Sequence, residues 1–114
     1  MTSAGIDSVY LPVDDLDAAI ALYSALGLEL AFRDGDRYAA FERRPIRLAL
    51  TAPVDQPVPG RIAIGYRSEH ELAALVGTLP GVRPLESLVL DHEQRLISLD
   101  ASGNPLVFTR KGTS

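Results

Sequence analysis

Apolar and polar residues alternate from Ile6 to Val13, with Val9, Leu11 and Val13 on one face and Ser8 and Tyr10 on the other. A period of two predicts a strand, and Pro12 near its end suits an edge or a terminus. The period then changes. Leu16, Ala19, Ile20, Tyr23 and Leu26 recur at helical spacing. Asp14 or Asp15 can cap this helix, and Asp17 suits the positive end of its dipole. Gly27 stops it, as a left-handed residue just past a helix should. Three strands are expected next, over residues 28–33, 38–43 and 46–51, with Asp34-Gly35-Asp36 turning between the first two.

Residues 52–60 hold Pro53, Pro57 and Pro59 and read as a linker. After it the pattern repeats. Residues 61–67 read as a strand, and Ser68-Glu69-His70-Glu71 as a capping box opening a helix with Leu72, Leu75, Val76 and Leu79 on one face. Pro80-Gly81 ends that helix, and strands are expected over 82–90, 94–99 and 105–110. Gly81 follows Gly27 by 54 residues (81 − 27), and Ser68 follows Asp14 by the same 54 (68 − 14). A shared order in a shared register points to an internal duplication, and such a unit is not a solenoid period. The expected organisation is a single domain, 1–114, with module one at 6–51, the linker at 52–60 and module two at 61–110.

Composition narrows the function classes. A 114-residue chain with 46% hydrophobic content forms one domain with a real core. No apolar run approaches the roughly 20 residues of a membrane span. Met-Thr-Ser-Ala-Gly lacks the basic and apolar regions of a signal peptide, so a cytoplasmic location is expected. With no cysteine, disulfides, thiolate zinc sites and cysteine nucleophiles are excluded. A net charge of −4 without a basic cluster beyond Arg43-Arg44 argues against nucleic acid. Ten of the eleven cations are Arg, the better bidentate partner for carboxylate and phosphate.

Residues 100–108 read Asp-Ala-Ser-Gly-Asn-Pro-Leu-Val-Phe, a turn feeding a short apolar strand. With the tract from Val9 to Asp17 and the helix end Leu22-Tyr23 to Leu26-Gly27-Leu28, it resembles the glyoxalase/bleomycin resistance/dioxygenase superfamily, the vicinal oxygen chelate proteins. The resemblance runs from Ile6 to Thr109. It implies an α+β fold, two βαβββ modules forming a cupped mixed sheet around one cavity. Metal-dependent members place His or Glu at four cavity-facing positions. Matched residue by residue, these fall on Ser8, near Ala49, on Arg61 (Ile62 if the register slips by one) and on Val107. None is a normal ligand for a divalent metal, so the resemblance implies no metal and no cofactor. It points to the metal-free branch, whose known members bind drugs such as bleomycin as homodimers.

Strand alternation from those positions gives the candidate ligand-binding set: Ser8, Tyr10, Arg47, Ala49, Arg61 and Val107, with Thr51, Ala63, Arg67 and Thr109 as neighbours. Arg47 and Arg61 would hold a carboxylate, phosphate or phenolate on an aromatic or apolar small molecule. The plainer alternatives stand beside this. Arg61 lies in solvent, Arg47 pairs with Glu42 or Asp100, Arg67 is a surface residue, and Tyr10 belongs to a dimer interface. Tyr38, Phe41 and Tyr66 have no assigned face. His70 and His92 read as solvated loop residues, and no catalytic triad, phosphate loop or carboxylate pair is present. The leading function is a metal-free binding protein that sequesters an antibiotic or anionic aromatic ligand. The alternatives are a metal-independent isomerase, lyase or cyclase, and an interaction module with a collapsed cavity.

Overall fold

The computed structural model describes residues 5–112; the opening Met-Thr-Ser-Ala, on which part of the leader argument rests, lies outside them. The chain divides into two compact units: Ser8–Ala63, and Ile64 onward with the described start of the first strand grouped with it.

In the first unit β1 (Gly5–Pro12) leads into α1 (Leu16–Ala25), then β2 (Leu30–Asp34), β3 (Tyr38–Phe41) and β4 (Arg47–Thr51). The strand order is β2-β3-β4-β1, antiparallel except for the parallel pair β1 and β4. Alternation sends Leu11, Ala39, Phe41, Leu48 and Leu50 to one face, where they pack with Leu16, Ala19, Ile20 and Tyr23 of α1. Tyr23 meets Phe41 edge-on at 6.3 Å between ring centroids. The fully buried Leu50 and Phe41 side chains each contribute roughly 1.5–3 kcal/mol. Asp15 caps α1 by accepting the Ala18 N–H at 3.0 Å. Gly27 turns the chain away at φ 108°, a conformation that only glycine adopts cheaply.

The proline-rich stretch is anchored to this unit. A 3₁₀ turn at Pro53–Asp55 brings Asp55 to Arg37 at 2.8 Å, and the Gln56 side-chain amide donates to the Thr51 carbonyl.

The second unit repeats the order: β5 (Ala63–Arg67), α2 (Leu72–Thr78), β6 (Arg83–Val89), β7 (Glu93–Leu99) and β8 (Pro105–Lys111). Its strands run β5-β8-β7-β6, again with one parallel pair, β5 and β8. Leu72, Val76, Leu96 and Phe108 form its core with Tyr66, Leu75 and Leu79 around them.

The capping box expected at 68–71 is not what opens α2. The Ser68 N–H donates to the Thr109 carbonyl at 2.8 Å, which continues the β5–β8 ladder, so the chain is still extended there. The Ser68 hydroxyl instead closes a turn on the His70 backbone. Glu71 is the cap, accepting the N–H groups of Ala73 and Ala74. The helix ends earlier than expected, at an extended Leu79 whose N–H donates to the Val76 carbonyl, and Gly81 turns the chain two residues later at φ 71°, whereas Gly27 directly follows the cap of α1.

Candidate functional site

The strands of each unit present a second face, away from its helix. In the first unit the parallel register sets Ser8 opposite Arg47 and Tyr10 opposite Ala49. Four of the six candidate residues therefore share one sheet face, because partners in register point the same way. Ala40 pairs with Ala49, Tyr38 with Thr51 and Phe32 with Ala40, so this face continues across β3 and β2. Phe32 and Tyr38 lie 6.1 Å apart. Ser8, Ala40, Ala49 and Thr51 are all buried, and the Thr51 hydroxyl donates to the Leu11 carbonyl at 3.1 Å.

Arg47 is the unusual member. It is half-buried, it forms no ion pair among the described residues, and its Nε is buried without a hydrogen-bond partner. The internal partners weighed from sequence do not reach it. Glu42 is exposed. Asp100 spends its carboxylate on its own turn, accepting from the backbone of Ser102 and from both the backbone and side-chain amides of Asn104. Those Asn104 donors, then the other turn N–H groups, hold the Asp100 carboxyl below its ordinary range. An orphaned buried donor costs about 1–3 kcal/mol, so Arg47 is a position the fold tolerates rather than one that stabilises it.

Arg61 lies outside the strands. It is exposed, and its N–H closes a turn onto the Val58 carbonyl two residues before β5 begins. Val107 is buried on β8, in register with Gly65 and Ile97. Neither the Val107 side chain nor that of Ala49 carries a donor atom, and the only polar group at the resemblance-derived strand positions is the Ser8 hydroxyl. These side chains do not fit a divalent metal. Among the described residues no three His, Cys, Asp or Glu come together.

The helix-opposite face of the second unit carries a charge cluster that sequence reasoning only half found. Arg67 reaches Glu93 at 3.4 Å and the Thr109 hydroxyl at 3.3 Å. Arg95 holds the other Glu93 oxygen through Nε at 3.2 Å and Nη2 at 2.8 Å. Arg67 is thus a partly buried sheet residue. Glu93 and Arg95 were missed; the available signal was their spacing of two along one strand, which puts both on one face. Phe32 was missed for the opposite reason: it stands in an edge strand whose residues are all exposed. His70 and His92 are exposed, as expected for loop residues. A shallow hollow of about 470 Å³ lined by Gly81, Arg83 and residues 100–103 offers only the self-satisfied Asp100 and one exposed cation.

The chain matches no protein-family model. An uncharacterized protein from Mycolicibacterium smegmatis (strain ATCC 700084 / mc(2)155) is 36% identical over 110 residues, covering 95% of each chain. Among solved structures, a glyoxalase/bleomycin resistance protein/dioxygenase superfamily member from Vibrio splendidus 12B01 is similar with a TM-score of 0.68 at 12% identity, over 95% of this chain and 99% of that one. The V278E glyoxalase I mutant from Zea mays gives 0.69 at 13% identity over 96% of this chain, which spans 44% of the maize chain. A Legionella pneumophila protein described as an NAD-dependent benzaldehyde dehydrogenase also gives 0.69 at 13% identity, over 92% of this chain and 98% of that one. Proteins described by such different chemistries share the architecture, so these likenesses speak for the fold alone. The chain belongs to one family with the M. smegmatis protein, and its paired βαβββ modules have the glyoxalase/bleomycin resistance/dioxygenase superfamily fold.

Proposed function

We propose that this protein is a metal-free small-molecule-binding protein whose ligand is an aromatic or apolar molecule bearing an anionic group. The observation that carries this is the buried, unpartnered Nε of Arg47 on the face shared with Ser8, Tyr10 and Ala49. A guanidinium held half out of water without a counter-ion suits an incoming oxyanion, which supplies both charge and acceptor. Ala49 gives an apolar floor beside it and Tyr10 an aromatic flank. Arg61 completes the candidate set on this unit as an outer cation, and Val107 is the buried apolar candidate on β8 of the second unit. Ser8, Ala49 and Val107, with no His, Asp, Glu or Cys among them, support binding without a metal. With the family resemblance, this becomes sequestration of an antibiotic or related anionic aromatic by a cytoplasmic homodimer. No described helix is long and apolar enough to cross a membrane.

The test is a thermal-shift titration with benzoate, phenyl phosphate and bleomycin, and separately with Zn²⁺, Ni²⁺ and Mn²⁺. The reading expects a shift of several degrees with at least one anionic aromatic, absent in Arg47→Gln. Stabilisation by a divalent metal alone would overturn it. Product formation lost in Tyr10→Phe with unchanged binding would replace it with an enzyme.

A further inference from the structure

The second unit carries a charge arrangement that the Arg47 reading does not use. Thr109 on β8 is in register with Arg67 on β5 and with Arg95 on β7. The three form one transverse row, with the arginines two strand spacings apart, roughly 9–10 Å between their Cα atoms. Both guanidinium groups lean on the one carboxylate of Glu93, whose side chain is 20% exposed. Two positive charges against one negative leave these partly buried groups at +1; Lys111, in register with Glu93, is exposed and joins no ion pair among the described residues.

The donor inventory shows what is left over. Arg67 uses Nη1 on Glu93 and Thr109, leaving its Nε and Nη2 without a partner among the described residues. Arg95 uses Nε and Nη2 on Glu93, leaving Nη1. Thr109 accepts from Arg67, so its own hydroxyl proton is still available to donate. The arginine side chains are 24% and 32% exposed, so this donor set is neither freely hydrated nor sealed. Glu93 fixes both side chains and spends its own oxygens doing so.

We propose that Arg67, Arg95 and the Thr109 hydroxyl form a carboxylate-binding site on the second unit, independent of Arg47, in which Glu93 sets the net charge. One carboxylate neutralises a +1 cluster, whereas a phosphate dianion would leave an uncompensated negative charge among side chains only 20–32% exposed, and holding uncompensated charge partly out of water costs more than the added attraction returns. Two arginines held by a shared acid also lose little freedom on binding, because their forks are already oriented.

The experiment follows the arginine side-chain Nε–H signals by two-dimensional NMR while sodium acetate, then methyl phosphate, is titrated at constant ionic strength. The expected result is saturable movement of the Arg67 and Arg95 signals with acetate, while Arg83, an exposed cation, stays still. Acetate is expected to bind more tightly than methyl phosphate to the native chain. Glu93→Gln, which leaves a +2 cluster, is expected to reverse that order by at least tenfold. Arg95→Gln should weaken acetate at least tenfold, and Arg67→Lys, which keeps the charge but loses the fork, should do nearly as much. Arg47→Gln should change none of this, which separates failure here from failure of the Arg47 site. Movement of Arg83 in step with the others, no saturation, or a native preference for methyl phosphate would each overturn the proposal.

Discussion

Thr51 and Thr109 occupy the same place in the two modules, and what surrounds them differs. Thr51 lies in register between Pro12 and Tyr38, and its hydroxyl is spent on the Leu11 carbonyl. Thr109 lies between Arg67 and Arg95, and its hydroxyl is part of a charged cluster. Earlier along the same strands, the order of charge reverses. β4 opens with the unpartnered Arg47, where β8 opens with the buried Pro105. One repeated scaffold thus carries a cation at the start of β4 in the first module and two cations flanking the end of β8, on β5 and β7, in the second. In the first module the cation lacks a counter-ion; in the second it shares one. The modules agree where packing demands it and diverge on the face where packing does not.

The agreement can be broken most forcefully in the cores. Phe41→Ala and Phe108→Ala remove rings that are 0% and 3% exposed under the respective helices. Each is expected to cost about 3–5 kcal/mol in urea unfolding. A cost below about 1 kcal/mol at either site would show that the two helix-facing cores are not equivalent.

The glycines that follow the two helices sharpen the comparison. Both have positive φ, so Gly27→Ala and Gly81→Ala each carry roughly 1–2 kcal/mol of backbone strain. At Gly27 an added Cβ meets nothing within 4 Å, whereas at Gly81 it would sit 3.1 Å from the Ala101 Cβ. Gly81→Ala is therefore expected to lower the melting temperature more than Gly27→Ala.

The caps come next. Asp15→Ala and Glu71→Ala are expected to cost about 0.5–2 kcal/mol. The loss should be larger at Glu71, which satisfies two N–H groups of a seven-residue helix, than at Asp15, which satisfies one of a ten-residue helix. Equal losses would return the capping role to the Ser68 turn.

The smallest effect is a pH dependence confined to the second module. Asp100 has a folded pKa depressed below its ordinary 3.8 by the Asn104 and neighbouring donors. Its contribution is therefore present above that value and lost as pH falls through the lower, folded one. The stability gap between the native chain and Asp100→Asn should shrink in that acid window and stay flat above it.

Much of this was legible in the sequence where the relevant physics is local. Alternation along 6–13 and 46–51 placed Ser8 and Tyr10 on one face of β1 and Arg47 and Ala49 on one face of β4, and the parallel register joined the two. Helical spacing located both helices, and Gly27 the end of the first. What failed to show depends on partners far along the chain. Ser68 looked like a cap because its backbone bond to Thr109, 41 positions on (109 − 68), cannot be read locally. Glu93 looked like a turn residue because its value comes from Arg67 across the sheet. Tyr38 and Phe41 could not be assigned because Ala39-Ala40 between them carries no alternation; they fall on opposite faces, Phe41 under α1 and Tyr38 beside Phe32.

The most direct test of the account is a pair of melting curves for the native chain and Arg47→Met, each with and without benzoate. Methionine reaches as far as the position of the arginine Nε and removes the orphaned donor together with the guanidinium. The account predicts that Arg47→Met melts at or above the native temperature without ligand and loses the benzoate shift, the trade expected where a binding group costs stability. A variant that melts well below the native chain yet keeps the full benzoate shift would show that Arg47 serves the fold and that the ligand is held elsewhere.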